Sequence, residues 1–307
     1  MLTRYFSTSK PIHLVIISLA LVVLFVVTKR NGLFNFSESF KALSEWFILA
    51  ALLFSFLVFA FFTSKNNLTA STSYKLLFFL LFLMLLPQCL KNNNLIIANM
   101  FVLLAMRRII SLSTQKNIYK KVLDAALWIC IASLFYFWSF LFFALIFGAI
   151  LLHDNMNLKT VLIPFVGLIA ITIIVAAINI LDNNIVGSVY DYIMPMDFDF
   201  STLNDISIVM SLTWIVSLFI WASFFYLNNI KDQPKVLRSS HFLILLAACI
   251  ATLIAIVAPT KTSAEFLFLA APFAIIIGNY LQSIQVKWFS EVIIWLSLVL
   301  PFLALII

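Results

Sequence analysis

Ten apolar runs divide the chain, near residues 12–27, 46–62, 74–90, 95–106, 122–152, 160–180, 207–227, 241–257, 265–281 and 289–307. A helix needs about 20 apolar residues to cross a bilayer core of about 30 Å. Inside lipid the backbone has no water to bond to, so each run must satisfy its own N–H and C=O groups, which a helix does. The rest of the chain does not offset the runs. Of 307 residues, 64% are hydrophobic and only 10% are charged, and the mean hydropathy is +1.14. An ordinary soluble domain is about a quarter charged. These numbers exclude a soluble enzyme, a disordered chain and a disulfide scaffold. They predict an all-α, polytopic transmembrane bundle, one integral membrane domain over residues 1–307.

Two run lengths are out of the ordinary. Run 95–106 has 12 residues and must be tilted or extended by its flanks, and run 122–152 has 31, too many for one straight crossing. Charge decides the second case, because Lys and Arg concentrate on the cytoplasmic side. Residues 107–121 carry Arg107, Arg108, Lys116, Lys120 and Lys121 without an acid, and 228–240 carry Lys231, Lys235 and Arg238. Between them, 181–206 holds Asp182, Asp191, Asp197, Asp199 and Asp205 with no Lys or Arg. The basic segments are placed inside and the acidic loop outside. Run 160–180 then crosses outward, and both ends of 122–152 are inside. That run is expected to be a hairpin of two short helices, bent around Tyr136–Ser139. Arms of about 15 residues would reach only about 22 Å, leaving the turn within the membrane. The full count is about 11 helical segments with a cytoplasmic N-terminus, which puts 14 of the 19 Lys and Arg inside.

The N-terminal run follows Arg4 and Lys10 and lacks a small-x-small cleavage pattern, so it reads as an uncleaved first span in a bacterial inner membrane. The net charge of +7 orients helices; no basic stripe interleaved with aromatics suggests nucleic acid. Cys89, Cys130 and Cys249 are odd in number and read as small hydrophobes. There is no Gly-rich phosphate loop, H-E-x-x-H, CxxC or G-x-S-x-G. The longest cytoplasmic loop, about 15 residues, is far too short for a nucleotide-binding domain of ordinary size. The sequence leaves any cofactor unknown.

Chemistry is therefore sought on the outer face. The loop D-N-N-I-V-G-S-V-Y-D-Y-I-M-P-M-D-F-D-F-S-T-L-N-D sets acids beside aromatics, a combination that suits a sugar or a cation. Asp191 and Asp197 are candidate catalytic acids there, and Asp197 with Asp199 supplies oxygen ligands of the kind a divalent cation takes. In the first outer loop, Glu38 and Glu45 are the acids, and Ser37–Trp46 reads as a short amphipathic segment on the membrane surface, with Phe40, Leu43 and Phe47 on one face. Glu265 begins a helix, with Ser263 a candidate cap, and shares the outer vestibule with Lys261. Arg107 and Arg108, at an inner helix end, and Lys261 outside are candidates for lipid head groups or phosphates. Asp124 is placed to pair with Lys120 or Lys121.

Two stretches, MRRIISLSTQKNIYKKVLDAALWICIASLFYFWSFLFFALIFGAILL (Met106–Leu152) and TSAEFLFLAAPFAIIIGNYLQSIQVKWFSEVIIW (Thr262–Trp295), resemble an uncharacterised family of multi-pass membrane proteins common in Flavobacteria and other Bacteroidetes. In layout, the basic inner loop followed by a short helix pair is similar to the membrane core of the polyprenol-dependent GT-C glycosyltransferases. That likeness implies a lipid-linked glycan as partner and a catalytic acid in the first outer loop, where Glu38 and Glu45 stand without the Asp-Glu pair often found there. No large periplasmic domain follows.

Three functions stay open. The first is a cell-envelope protein that handles a polyprenyl-linked glycan, with Glu38 or an aspartate of 181–206 as base for an acceptor hydroxyl. It predicts a deep outer-facing cavity. The second is a non-enzymatic membrane subunit of an envelope assembly with other membrane proteins as partners, which predicts no such cavity. The third is a small-molecule transporter, against which stands the lack of a charge deep within a span.

Overall fold

The computed structural model describes residues 2–33, 39–153, 156–181, 196–259, 261–284 and 286–306. α1 (Leu2–Phe6) precedes α2 (Pro11–Thr28), and the short α3 (Arg30–Leu33) precedes α4 (Ser39–Lys65), α5 (Tyr74–Leu85) and α6 (Asn93–Ile110). There follow α7 (Ile118–Phe135), α8 (Phe143–Leu152), α9 (Leu158–Leu181), α10 (Ile206–Ile230), α11 (Lys235–Val257), α12 (Ala270–Ser283) and α13 (Lys287–Ile306). Among the described residues, eleven helices have ten residues or more and no strand occurs. Among the same residues, seven helical stretches are long and apolar enough to cross a membrane. The protein is an all-α, multi-pass membrane bundle.

In lipid, helix association depends on close packing, which small residues permit. α6 offers the buried Ala98 and Ala105, and α7 the buried Ala125, Ala126 and Ala132; these two helices form one of the most extensive pairings. α9 crosses α7 at Gly167, where a Cβ would lie 2.9 Å from that of Ala126.

The two central helices are short. α5 has 12 residues and α12 has 14, roughly 18 and 21 Å at 1.5 Å per residue. They pack on each other and are enclosed by the rest. Of an 18-residue apolar stretch within Ala264–Ser283, 89% is buried, against 11% of the corresponding stretch of α9. Both are continued at the same end by 3₁₀ turns, Pro87–Leu90 after α5 and Ala264–Leu269 before α12. Pro87 causes the first break: it lacks an N–H and pushes the preceding Leu86 out of the helical region, to φ −126° and ψ 70°. The two turns touch, with Cys89 Sγ donating to the Ser263 carbonyl at 3.3 Å.

Contacts between loops sort the bundle into two ends. One end gathers Lys29, Glu45, Asn93, Thr202 and Lys261. The other joins His13 to Ser73, Leu68 to Asn279, Gln115 to His153, Leu152 to Ser239 and Tyr226 to His241. We call them the Glu45 end and the His241 end.

The 122–152 run is a hairpin, and its break is at Tyr136, which is extended (φ −147°, ψ 107°). Its turn meets the 3₁₀ segment of the central layer, with Tyr136 and Phe142 both packed against the Phe268 ring. The first arm is longer than expected, and the second, α8, has only 10 residues after a 3₁₀ turn over Phe137–Phe142. Helix α7 starts at Ile118 and takes in Lys120, Lys121 and Asp124, giving 18 residues and about 27 Å. The 95–106 run is likewise extended, because Asn92 caps α6 by accepting from the N–H groups of Asn94 and Leu95.

Three expectations are corrected. Residues 39–46 are not a separate surface helix; they are the first turns of α4, which runs unbroken to Lys65. Asp124 pairs with Arg108 at 3.0 Å, not with Lys120 or Lys121, since Lys121 turns back to the Ser111 carbonyl and the Thr114 hydroxyl. Ser263 does not cap the next helix: its φ is +58°, and its hydroxyl bonds the Thr262 carbonyl. Lys75, inside the 74–90 run, is buried in α5, with its ammonium donating to Ser64 Oγ at 3.1 Å.

Candidate functional site

Glu38 and Asp191, with most of the acidic loop, lie outside the described residues. Asp197 and Asp199 are described, and both are exposed. Asp197 Oδ1 accepts from the Asp199 N–H at 3.0 Å, and Asp199 Oδ1 from the Ser201 N–H at 2.9 Å. The two carboxylates thus shape successive turns. The Ser201 bonds hold the Asp199 carboxyl below its ordinary pKa. A divalent cation bound here would compete with those N–H donors. No group of three or more His, Cys, Asp or Glu side chains suited to a metal occurs among the described residues.

Glu45 takes part in a different arrangement. Lys29, just past the end of α2, is 2.8 Å from Glu45 Oε2 on α4, and Asn93 at the start of α6 donates to Glu45 Oε1 at 3.0 Å. The Lys29 ammonium also donates to Asn93 Oδ1. Three helix ends are tied together by one nearly buried ion pair, whose side chains are 8% and 11% exposed.

A second carboxylate lies in the broken central layer. Glu265 is buried in the 3₁₀ turn before α12, and the Thr262 hydroxyl donates to its Oε1 at 3.2 Å. Cys89 and Tyr136 lie within reach of its charge. The Tyr136 hydroxyl and Trp138 Nε1 are buried without a hydrogen-bond partner among the described residues.

Lys261 joins these features to the acidic loop. Its buried ammonium donates to the Ala255 carbonyl at 3.5 Å and to that of Ile256, at the C-terminal end of α11. A cation there is favoured by the helix dipole. The Phe200 ring lies against it, 4.7 Å from Nζ to centroid, and the Thr202 hydroxyl bonds the Lys261 carbonyl at 2.6 Å. Burial lowers the Lys261 pKa, opposed by the charges of Asp197 and Glu265.

Between these groups an open cavity of about 680 Å³ is lined by Gln88, Lys91, Asn92, Asn93, Asn94, Thr202, Ile208, Lys261, Thr262 and Ala264. Its lining residues carry four side-chain amides, two hydroxyls and two ammoniums, of which both hydroxyls and the Lys261 ammonium already bond within the protein. Glu45 stands behind Asn93, and Glu265 behind Thr262. The structure therefore brings Lys261 to a site with Lys91 and the asparagine run. That run has no catalytic motif, and only the turn at Pro87 marks it in sequence. Arg107 and Arg108 are at the opposite end. Arg108 pairs with Asp124, and the Arg107 guanidinium lies over Phe61, 5.0 Å from the ring centroid.

A family model described as Family of unknown function (DUF6427) matches residues 1–305. No curated protein and no solved structure matches the chain.

Proposed function

The chain belongs to this family of unknown function, and on that premise we propose that it binds the head group of a lipid-linked glycan at the outer face of the bacterial inner membrane. The observation that carries the reading is the 680 Å³ cavity at the Glu45 end. Amides and hydroxyls are the groups that bond sugar hydroxyls. Lys91 and Lys261 supply the positive charge that a phosphate or diphosphate linker needs. The cavity opens where α5 and α12 give way to 3₁₀ turns, so polar backbone is accommodated there beneath a cavity. A carrier's polyprenyl chain would remain in the surrounding lipid. The excess of cations in the loops of the other end supports a cytoplasmic N-terminus. The GT-C-like layout belongs to the same proposal.

A specific observation favours binding without turnover. Glu45 is held by Lys29 and Asn93, Glu265 by Thr262, and Asp197 and Asp199 by backbone N–H groups. None of the four is set up as a free base. In this second reading the protein is a head-group-binding subunit of an envelope assembly. Glu38 and Asp191 are the proposed bases if the site also transfers a sugar.

The test is an equilibrium titration of the purified protein in nanodiscs with a polyprenyl-diphosphate sugar and with the unglycosylated polyprenyl diphosphate. The reading expects tighter binding of the sugar-bearing lipid and a loss of roughly tenfold in Lys91→Ala or Asn94→Ala, about one charged hydrogen bond's worth. Equal affinity for the two lipids, or unchanged affinity in both variants, overturns it. Glu38→Gln and Asp191→Asn are then assayed for sugar transfer at unchanged affinity.

A further inference from the structure

The opposite end of the bundle carries a feature that the glycan cavity does not use. Along α4, Phe54, Leu57 and Phe61 are about half exposed, at 48%, 47% and 48%. Their spacing of three and four residues puts them on one helix face, and Lys65 follows at the next step of four. The apolar ridge therefore ends in a cation. The Lys65 ammonium lies 5.3 Å from the Phe61 ring centroid, and Arg107, from the neighbouring α6, lies 5.0 Å from the same ring. Two cations from different helices thus meet at one lipid-facing aromatic ring.

The surrounding charges do not neutralise them. Asp124 pairs with Arg108. Lys121 bonds the Ser111 carbonyl and Thr114, and lies within reach of the charges of Arg108 and Lys65. Neither Lys65 nor Arg107 is in ion-pair contact with a carboxylate among the described residues. A cation over a ring face keeps its hydrogen-bond donors for an anion. An apolar ridge leading up to paired cations at the membrane boundary is complementary to one kind of molecule: two chains of hydrocarbon ending in a phosphate.

We propose that this corner of α4 and α6 is a binding site for an anionic phospholipid, its phosphate held by Lys65 and Arg107 and an acyl chain lying along Phe54, Leu57 and Phe61. The site is independent of the cavity at the Glu45 end.

The experiment uses the full chain in nanodiscs of phosphatidylcholine with a minor share of phosphatidylglycerol, and native mass spectrometry of the lipids that stay bound. Phosphatidylglycerol should be enriched roughly thirtyfold over its share, from about 1 kcal/mol for each of the two cations near the surface. The pair Lys65→Gln with Arg107→Gln should return the ratio to that of the bilayer, whereas Lys159→Gln should not change it. A photo-crosslinking phosphatidylglycerol on the unaltered protein should label the peptide spanning residues 54–65, a result that does not depend on the variant folding. No enrichment, enrichment that survives the double change, labelling confined to other helices, or displacement by inorganic phosphate would each overturn the proposal.

Discussion

Lys29 and Glu45 lie 2.8 Å apart with both side chains nearly excluded from solvent, and Asn93 bonds both of them. Removing one partner leaves a buried charge uncompensated, which costs about 3–5 kcal/mol. Glu45→Ala should lower unfolding stability in detergent by that amount. Lys29→Met combined with Glu45→Leu should recover most of it, because an apolar pair of similar volume leaves no charge to solvate. A double-mutant cycle with no coupling between the two positions would show that the pair does not act as a unit.

Lys261 gives a pH-dependent counterpart. Burial lowers its pKa below the ordinary 10.5, so the folded chain releases this proton before the unfolded chain does. In the window between the lowered value and 10.5 the unfolded state holds more protons, and stability rises with pH. Below the window both forms are protonated and the term is constant. The melting temperature of the native protein should rise through the alkaline window relative to that of Lys261→Met. Parallel curves would remove the linkage.

Gly278 sets the spacing of the central pair. A Cβ there would lie 3.2 Å from the Lys75 backbone N and 3.4 Å from its Cα. Backbone yields poorly, so Gly278→Ala should cost stability, and Gly278→Leu should cost about 1–3 kcal/mol or more. Gly148 is the contrast. Its added Cβ would meet the tip of the Leu246 side chain at 2.5 Å, a group that can rotate away. Thermal melts of Gly278→Ala and Gly148→Ala should rank in that order.

The hairpin makes a prediction about sidedness. Gln115 and His153 are joined across its open end at 3.3 Å. Single cysteines at Lys116 and Met156 should therefore be labelled by an impermeant thiol reagent from the same side of sealed vesicles, and one at Ser201 from the other. Opposite labelling of Lys116→Cys and Met156→Cys would make 122–152 a single crossing.

That hairpin was legible in the sequence because loop charge constrains sidedness. Five cations before it and five aspartates after the next span leave one topology. The centre of the bundle was not legible. α9 and α12 are both apolar runs, and hydropathy does not separate a helix enclosed by protein from one enclosed by lipid, since both environments are apolar. Glu45 was visible as an acid in the first outer loop, but its partners are Lys29 and Asn93, 16 and 48 residues away. The Asn92–Asn94 run carries no chemical motif and becomes a cavity wall only because Pro87 stops α5 short of it. Asp197 and Asp199 drew notice as a ligand pair, yet a D-x-D-x-S spacing also suits consecutive side-chain turns, which is how both are used here.

The most direct measurement is an experimental structure of the protein in nanodiscs with a polyprenyl-diphosphate sugar. The account predicts sugar density within hydrogen-bond distance of Asn94 and Thr262, with the diphosphate between Lys91 and Lys261 and the polyprenyl chain leaving sideways into lipid. An empty cavity at saturating ligand, or a ligand bound elsewhere with the cavity covered by another protein, would contradict it.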